Sequence, residues 1–282
     1  MAWDTRLSRR GWLALVAAGA IRAPVSVAAS PADPLFARSD IAGPLAAPLA
    51  IGMARVTLRP GATAKTTVTG ARTIIVESGF LAVDLPDEHG VITSDDLSAT
   101  QRSRSRRQEI IMVSGTSSTV VQPGVLELRN PGARTVSLLD VSMAAALPHG
   151  EWRGFTTEDL SFQILAQARA VTAPAGEATI TVERRGVVAG ATQRVLPGEG
   201  FVVGYVEHGA IVVEHEAGAV ATARAAEAAP FSQAGPLEPA GEPSARLISA
   251  GGTFFLPAGS AARLAAIDHR EAEMLVLSVL PA

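Results

Sequence analysis

Apolar and polar positions alternate over short runs along most of the chain: Ala54 to Leu58, Thr73 to Val76, Thr179 to Val182, Ala210 to Val213 and Met274 to Val279. A period of two in segments rich in Val, Ile and Thr is the signature of half-buried strands. Gly and Pro interrupt the runs at short intervals and mark turns. Helical periodicity is scarce, and its best candidate is one or two turns around Thr157 to Leu165. The pattern predicts an all-β protein built as a sandwich or barrel.

The runs repeat. Gly61-Ala62-Thr63 leads to Val76-Glu77-Ser78-Gly79, and Gly190-Ala191-Thr192 leads to Val206-Glu207-His208-Gly209, over intervals that differ by one residue. Each half then closes with a Pro and Gly turn and an apolar strand. These are Pro123-Gly124 before Val136 to Val141, and Pro257-Ala258-Gly259 before Met274 to Val279. Two copies of one domain are predicted. They differ in two inserts that read as exposed loops: Glu88 to Gln108, which carries Arg102, Arg104, Arg106 and Arg107, and Ala217 to Ala245, rich in Ala, Pro, Gly and Glu. The arginine run reads as a solvated loop rather than an anion grip.

With 48% apolar and 18% charged residues, the chain is too apolar and too weakly charged for a disordered segment. The formal net charge is −3, which disfavours non-specific binding to nucleic acid. The absence of cysteine excludes disulfides, thiolate metal sites and a lipidated N-terminal cysteine. Lys65 is the sole lysine, so nearly every cation is an arginine. One tyrosine and eight phenylalanines offer little surface for stacking sugars or bases.

Ser8-Arg9-Arg10-Gly11-Trp12-Leu13 resembles a twin-arginine export signal, with Trp12 where Phe is commoner. The apolar run behind it, Gly11 to Ile21, has 11 residues, against the roughly 20 needed to span a bilayer. Small residues at Ser26-Val27-Ala28-Ala29 suit cleavage after Ala28 or Ala29. The expectation is a signal peptide over 1–29 with Arg9 and Arg10 as its recognition pair. It implies the twin-arginine translocase and signal peptidase as partners, no stable membrane span, and an extracytoplasmic location in a bacterium. Cleavage would remove Arg6, Arg9, Arg10, Arg22 and Asp4, making the mature chain more acidic.

Behind the signal the chain resembles a bicupin, two cupin-like jelly-roll barrels in tandem. In the second half Leu247 to Ser249, Gly251 and Pro257-Ala258-Gly259 resemble the second cupin motif, and in the first half Gly115, Pro123-Gly124 and Arg129-Asn130-Pro131-Gly132 do so, with Asn130 as the closing Asn. The expected division is a first cupin-like domain over 30–148, a linker over 149–162 and a second domain over 163–282.

The resemblance also implies where metal ligands would stand: a His-x-His, a Glu separated by six residues from a Gly, and a later His. In the first half the Glu position counts to Arg72, the His-x-His falls within Lys65 to Val68, and the later His position is Leu126. In the second half the corresponding places are Val202, Val195 to Gly198, and Ala262. A divalent metal needs several fixed N or O donors, and neither set supplies them. None of the five histidines, His89, His149, His208, His215 and His269, has metal-ligand spacing to another.

No Gly-x-Ser-x-Gly is present, and the nearest paired acids, Asp95-Asp96 and Glu214 with Glu216, read as exposed. The favoured expectation is therefore an exported, metal-free bicupin without a cofactor, acting as a small-molecule-binding or structural module. The mouth of the first barrel near Thr66, Thr67 and Arg72 would be the place for a small anionic ligand, with pairing of Arg72 to a neighbouring carboxylate an equal alternative. The competing expectation is a metal-dependent isomerase or oxygenase using His208, Glu214, His215 or His269. Alternation puts Glu214 and His215 on opposite faces of one strand, which counts against it. Nothing in the sequence decides whether the chain forms a homo-oligomer.

Overall fold

A computed structural model describes residues 36–41, 45, 47–84, 109–120, 124–145, 154–223, 245–267 and 271–282. The export signal with Arg9 and Arg10, the arginine run 102–107, His89, His149 and His269 lie outside the described residues.

After a leading strand β1 (Phe36–Ile41), a first set of eight runs as β2 (Leu49–Leu58), β3 (Thr63–Val68), β4 (Ala71–Ser78), β5 (Phe80–Asp84), β6 (Glu109–Val113), β7 (Ser117–Val120), β8 (Gly124–Arg129) and β9 (Val136–Ala145). The connection holds β10 (Phe155–Thr156) and β11 (Leu160–Ala170). The second unit follows with β12 (Ala178–Val187), β13 (Thr192–Val195), β14 (Phe201–His208), β15 (Ala210–Ala217), β16 (Ala221–Ala223), β17 (Ala245–Ser249), β18 (Thr253–Leu256), β19 (Ala261–Ala266) and β20 (Ala272–Pro281).

Sheet order fixes the architecture. In the first unit β2-β9-β4-β7 faces β3-β8-β5-β6, and in the second β12-β20-β14-β18 faces β13-β19-β15-β17. Numbered within its own unit, with the short edge strand β16 set aside, each set reads first-eighth-third-sixth against second-seventh-fourth-fifth, the double Greek key of a jelly roll. The all-β fold of two tandem cupin-like jelly-roll barrels expected from the sequence is the one observed.

The two units exchange strands. β1 precedes the first barrel but pairs with β12 of the second, while β11 precedes the second barrel but pairs with β2 of the first. With β16 beside β18 and β10 beside β11, each larger sheet reaches six strands. β11 runs across the boundary expected at 163, and the second barrel's own eight strands begin at Ala178.

The helical turn predicted over Thr157 to Leu165 is a strand, and its local irregularity explains the misreading. The β11 register shifts between Ile164 and Ala166, a bulge that breaks period two and sets Leu160, Ile164 and Leu165 at helix-like spacing. The Ala217 to Ala245 insert likewise begins with a short strand, β16, on the edge beside β18.

Three apolar cores result. One lies inside each barrel, with Val56, Ile74, Leu81 and Leu126 in the first and Val206, Ile211, Phe254 and Val276 in the second. The third joins the outer faces of the two larger sheets, with Ile51, Met53, Ile75 and Val141 meeting Ile180, Phe201, Val203 and Leu277. This shared face explains why β4 and β14 are buried at nearly every position: odd residues serve one core and even residues the other.

At the margin of that face sits a charged clasp. In β4 the register passes from Val76 to Ser78, and in β14 from Val206 to His208, so Glu77 and Glu207 are matching bulged residues. Arg55 donates to both oxygens of Glu77 at 2.8 Å and to Glu207 at 2.5 Å. Arg184 donates to Glu207 at 2.6 Å and to Glu77 at 3.1 Å. Each arginine thus binds the glutamate of its own barrel and that of the other. The hairpin after each bulge turns through Gly79 or Gly209, with φ of +89° and +74°.

Burial pushes the Glu207 carboxyl up, but the hydrogen bonds and charges of Arg184 and Arg55 outweigh it and hold it below the ordinary glutamate value. A depressed carboxylate pKa contributes stability that is present above the unfolded-state value and is lost as pH falls through the folded-state one. Glu207→Gln is therefore expected to lower stability at neutral pH by roughly 2 kcal/mol, with the deficit narrowing as the pH is taken below the ordinary glutamate range. Urea unfolding of both proteins across that range checks it; a deficit that stays constant with pH would exclude ionised Glu207 as the cause.

Candidate functional site in the first barrel

The inner face of the first barrel carries one polar cluster in an otherwise aliphatic interior. Thr66 comes from β3, Arg72 from β4 and Asp140 from β9; all three are buried, Arg72 fully. Period two puts Arg72 on the same face as Ile74 and Val76, which line this barrel, while Thr73 and Ile75 turn to the face shared with the second unit.

Arg72 Nε donates to Asp140 Oδ1 at 2.8 Å, Nη2 donates to Oδ2, and Nη1 donates to Thr66 Oγ1. The pair is bidentate, the strongest geometry a guanidinium and a carboxylate can adopt. Burial pushes the Asp140 carboxyl up against the downward pull of Arg72, and the net displacement is upward. A carboxyl with a raised folded-state pKa favours folding less as pH rises from the ordinary aspartate value through the folded-state one, opposite in sign to Glu207.

The second barrel is an internal control, because register identifies each equivalent position. Thr66 pairs with Leu126 as Val195 pairs with Ala262, Arg72 with Ser142 as Val202 with Ser278, and Ile74 with Asp140 as Gly204 with Val276. Thr66, Arg72 and Asp140 thus correspond to Val195, Val202 and Val276. One step further, Ile74 opposite Ser118 corresponds to Gly204 opposite Phe254. The Phe254 ring lies over Gly204, so a Cβ at 204 would come within 2.1 Å of it.

The positions where the bicupin resemblance places metal ligands therefore hold a cation, Arg72, and an apolar side chain, Leu126, in the first barrel. In the second they hold Val202 and Ala262. A guanidinium clamped to a carboxylate repels a metal and uses the oxygens that would ligate it, so this donor set does not fit one. No group of three or more metal-ligating side chains occurs among the described residues.

The remaining sequence candidates are dispersed. Thr67 faces out of the barrel, half-buried, on the side opposite Thr66 and Arg72. His208 is exposed beside the Gly209 turn, and Glu214 is exposed. His215 lies on the opposite face from Glu214, with its Nε2 3.0 Å from the Gly218 carbonyl oxygen. Asn130 is fully buried and closes a turn: its Nδ2 donates to the carbonyls of Leu58 and Arg134, and its Oδ1 accepts from Gly132 N–H.

Sequence reading did not single out Asp140, which lies 68 residues from Arg72 in an apolar strand, nor Arg55 and Arg184. An acid inside the run Leu138-Leu139-Asp140-Val141 was the available signal, since an unpaired carboxylate is not tolerated there.

Two outcomes follow from the comparison of the barrels. Arg72→Val alone strands the Asp140 carboxylate and should cost roughly 3 to 5 kcal/mol, whereas Arg72→Val with Asp140→Val, the second barrel's pair, should be neutral or stabilising. Urea midpoints for the singles and the double give the coupling, and a double variant no better than the worse single would refute the equivalence. Gly204→Val should lose about 1 to 3 kcal/mol by overpacking against Phe254. Restoring most of that loss with Phe254→Ser, in the same unfolding assay, identifies the ring as the cause.

No family model matches the chain, and no curated protein matches it. Among solved structures it is similar to AerE from Microcystis aeruginosa at 9% identity and a TM-score of 0.39, over 85% of this chain and 97% of that one. Two structures of Bacillus subtilis oxalate decarboxylase match at 11% identity with TM-scores of 0.45 and 0.44, each over 85% of this chain and 76% of the other. The fold assignment rests on the strand order and register described above.

Proposed function

We propose that the chain is an exported, metal-free double jelly-roll protein that acts as a small-molecule-binding or structural module. The observation that carries this reading is the Arg72–Asp140 pair. In the barrel with the more polar interior, a guanidinium occupies the place of a metal-binding carboxylate and is tied to the carboxylate of Asp140. The second barrel supports the reading with valines at the same register. Reaction chemistry built on His208, Glu214 and His215 lacks support, because these side chains do not converge on either barrel interior. Export before maturation accords with the Arg9-Arg10 pair of the N-terminal sequence.

The test is made on protein recovered from the periplasm of an expressing bacterium. Transition-metal content should be far below one per chain after growth in manganese-, iron- and zinc-supplemented medium, and Arg9→Lys with Arg10→Lys should retain the protein in the cytoplasm. A stoichiometric metal in the exported protein would overturn the metal-free assignment, and unimpaired export of the double-lysine variant would overturn the twin-arginine route.

A further inference from the structure

Resting on the binding-module reading, we propose that the open end of the first barrel takes a small oxyanion, held between Arg169 and Ser142. Exposure rises along the inner face of the larger sheet, from Val56, fully buried, through Ala54 to half-buried Ala50 and Arg169. Among the inward-facing positions of β2, exposure is therefore greatest at this end. Arg169 in β11 is in register with Ala50, and Ala50 with Ala144 in β9. One step inward, Ser142 is in register with Gly52 and with Arg72. On β2 only Ala50 and Gly52 lie between Arg169 and Ser142, and the buried Gln167, in register with Gly52, borders the same floor.

Both groups have donor capacity left over. Arg169 Nε is buried without a hydrogen-bond partner. Ser142 is 8% exposed, and neither it nor Arg169 has a partner among the described residues. A desolvated guanidinium N–H with no acceptor is costly, and an anion is the species that removes the cost. Arg72 is paired with Asp140, so among the described residues the unpaired positive charge beside Ser142 is that of Arg169.

The second barrel lacks the arrangement. Its position equivalent to Arg169 is Asp40, opposite Thr179, and the Thr179 hydroxyl donates to Asp40 at 2.7 Å. An acid already satisfied by its neighbour does not attract an anion, so the site belongs to the first barrel alone. The anion so placed lies at the barrel's end, beside the Arg72–Asp140 pair and not within it.

The test is calorimetric titration of the exported protein with sodium phosphate and sodium acetate, against sodium chloride at equal ionic strength. Saturable binding of phosphate or acetate is expected, weakened about tenfold by Arg169→Gln, partly recovered by Arg169→Lys, and unchanged by Arg194→Gln on the surface of the second barrel. The stronger of the two probes identifies a tetrahedral anion or a carboxylate as the class. Circular dichroism of each variant separates lost binding from lost fold, with Ser142→Ala as a milder variant that should also weaken binding. Binding of neither probe, equal binding by Arg169→Gln, or equal loss in Arg194→Gln overturns the proposal. Metal content measured on the same samples tests the parent reading separately, since a bound metal would refute that reading whether or not the anion binds.

Discussion

The apolar face shared by the two larger sheets is the constraint on which the remaining structure depends. Each barrel presents that face to the other, so the central strands of both sheets are buried on two sides and must be apolar at successive positions, not alternate ones. Burying such a face removes a large apolar area from water, the dominant favourable term in folding. It also leaves the barrels little freedom to move relative to one another. The exchanged strands β1 and β11 extend the same two sheets, so covalent connection and hydrogen bonding reinforce what packing begins.

The clasp works on top of that face. Apolar contact is non-directional and sets no angle between sheets, whereas four charged side chains that each bind partners in both barrels are satisfied in one relative placement. A buried or half-buried ion network is a poor source of net stability but a good source of specificity. The bulges at Glu77 and Glu207 show how the chain delivers it: one extra residue in the strand re-aims a side chain that regular pleating would place elsewhere.

Much of this architecture was legible in the sequence. The Gly61 and Gly190 turns, the Val-Glu-x-Gly repeat and the paired closing strands gave the duplication, and the all-β class followed from period-two runs. What escaped was long-range or locally irregular. The pairing of β1 with β12 joins residues 36–41 to a strand more than a hundred residues on, and no local pattern encodes it. The bulge in β11 disguised a strand as a helical turn. Counting to the ligand positions did reach Arg72, but its partner Asp140 and the clasp arginines became visible only when register placed them. Thr66 and Thr67 are adjacent in sequence, and alternation sends them to opposite sides of the sheet.

The contrast between the barrels separates what the fold requires from what it merely permits. Ile74 with Ser118 and Gly204 with Phe254 are near volume-conserving pairs: a larger residue on one strand is matched by a smaller one opposite, and both interiors close. Packing therefore explains that difference completely. It does not explain Arg72 and Asp140, because valines at both positions serve the same topology, register and hairpins in the second barrel, without the desolvation that a buried ion pair incurs. The pair is accordingly not a demand of the jelly roll. Its position, close to the end of the first barrel where the buried Arg169 Nε lacks a hydrogen-bond partner, ties the first barrel's buried polarity to that end.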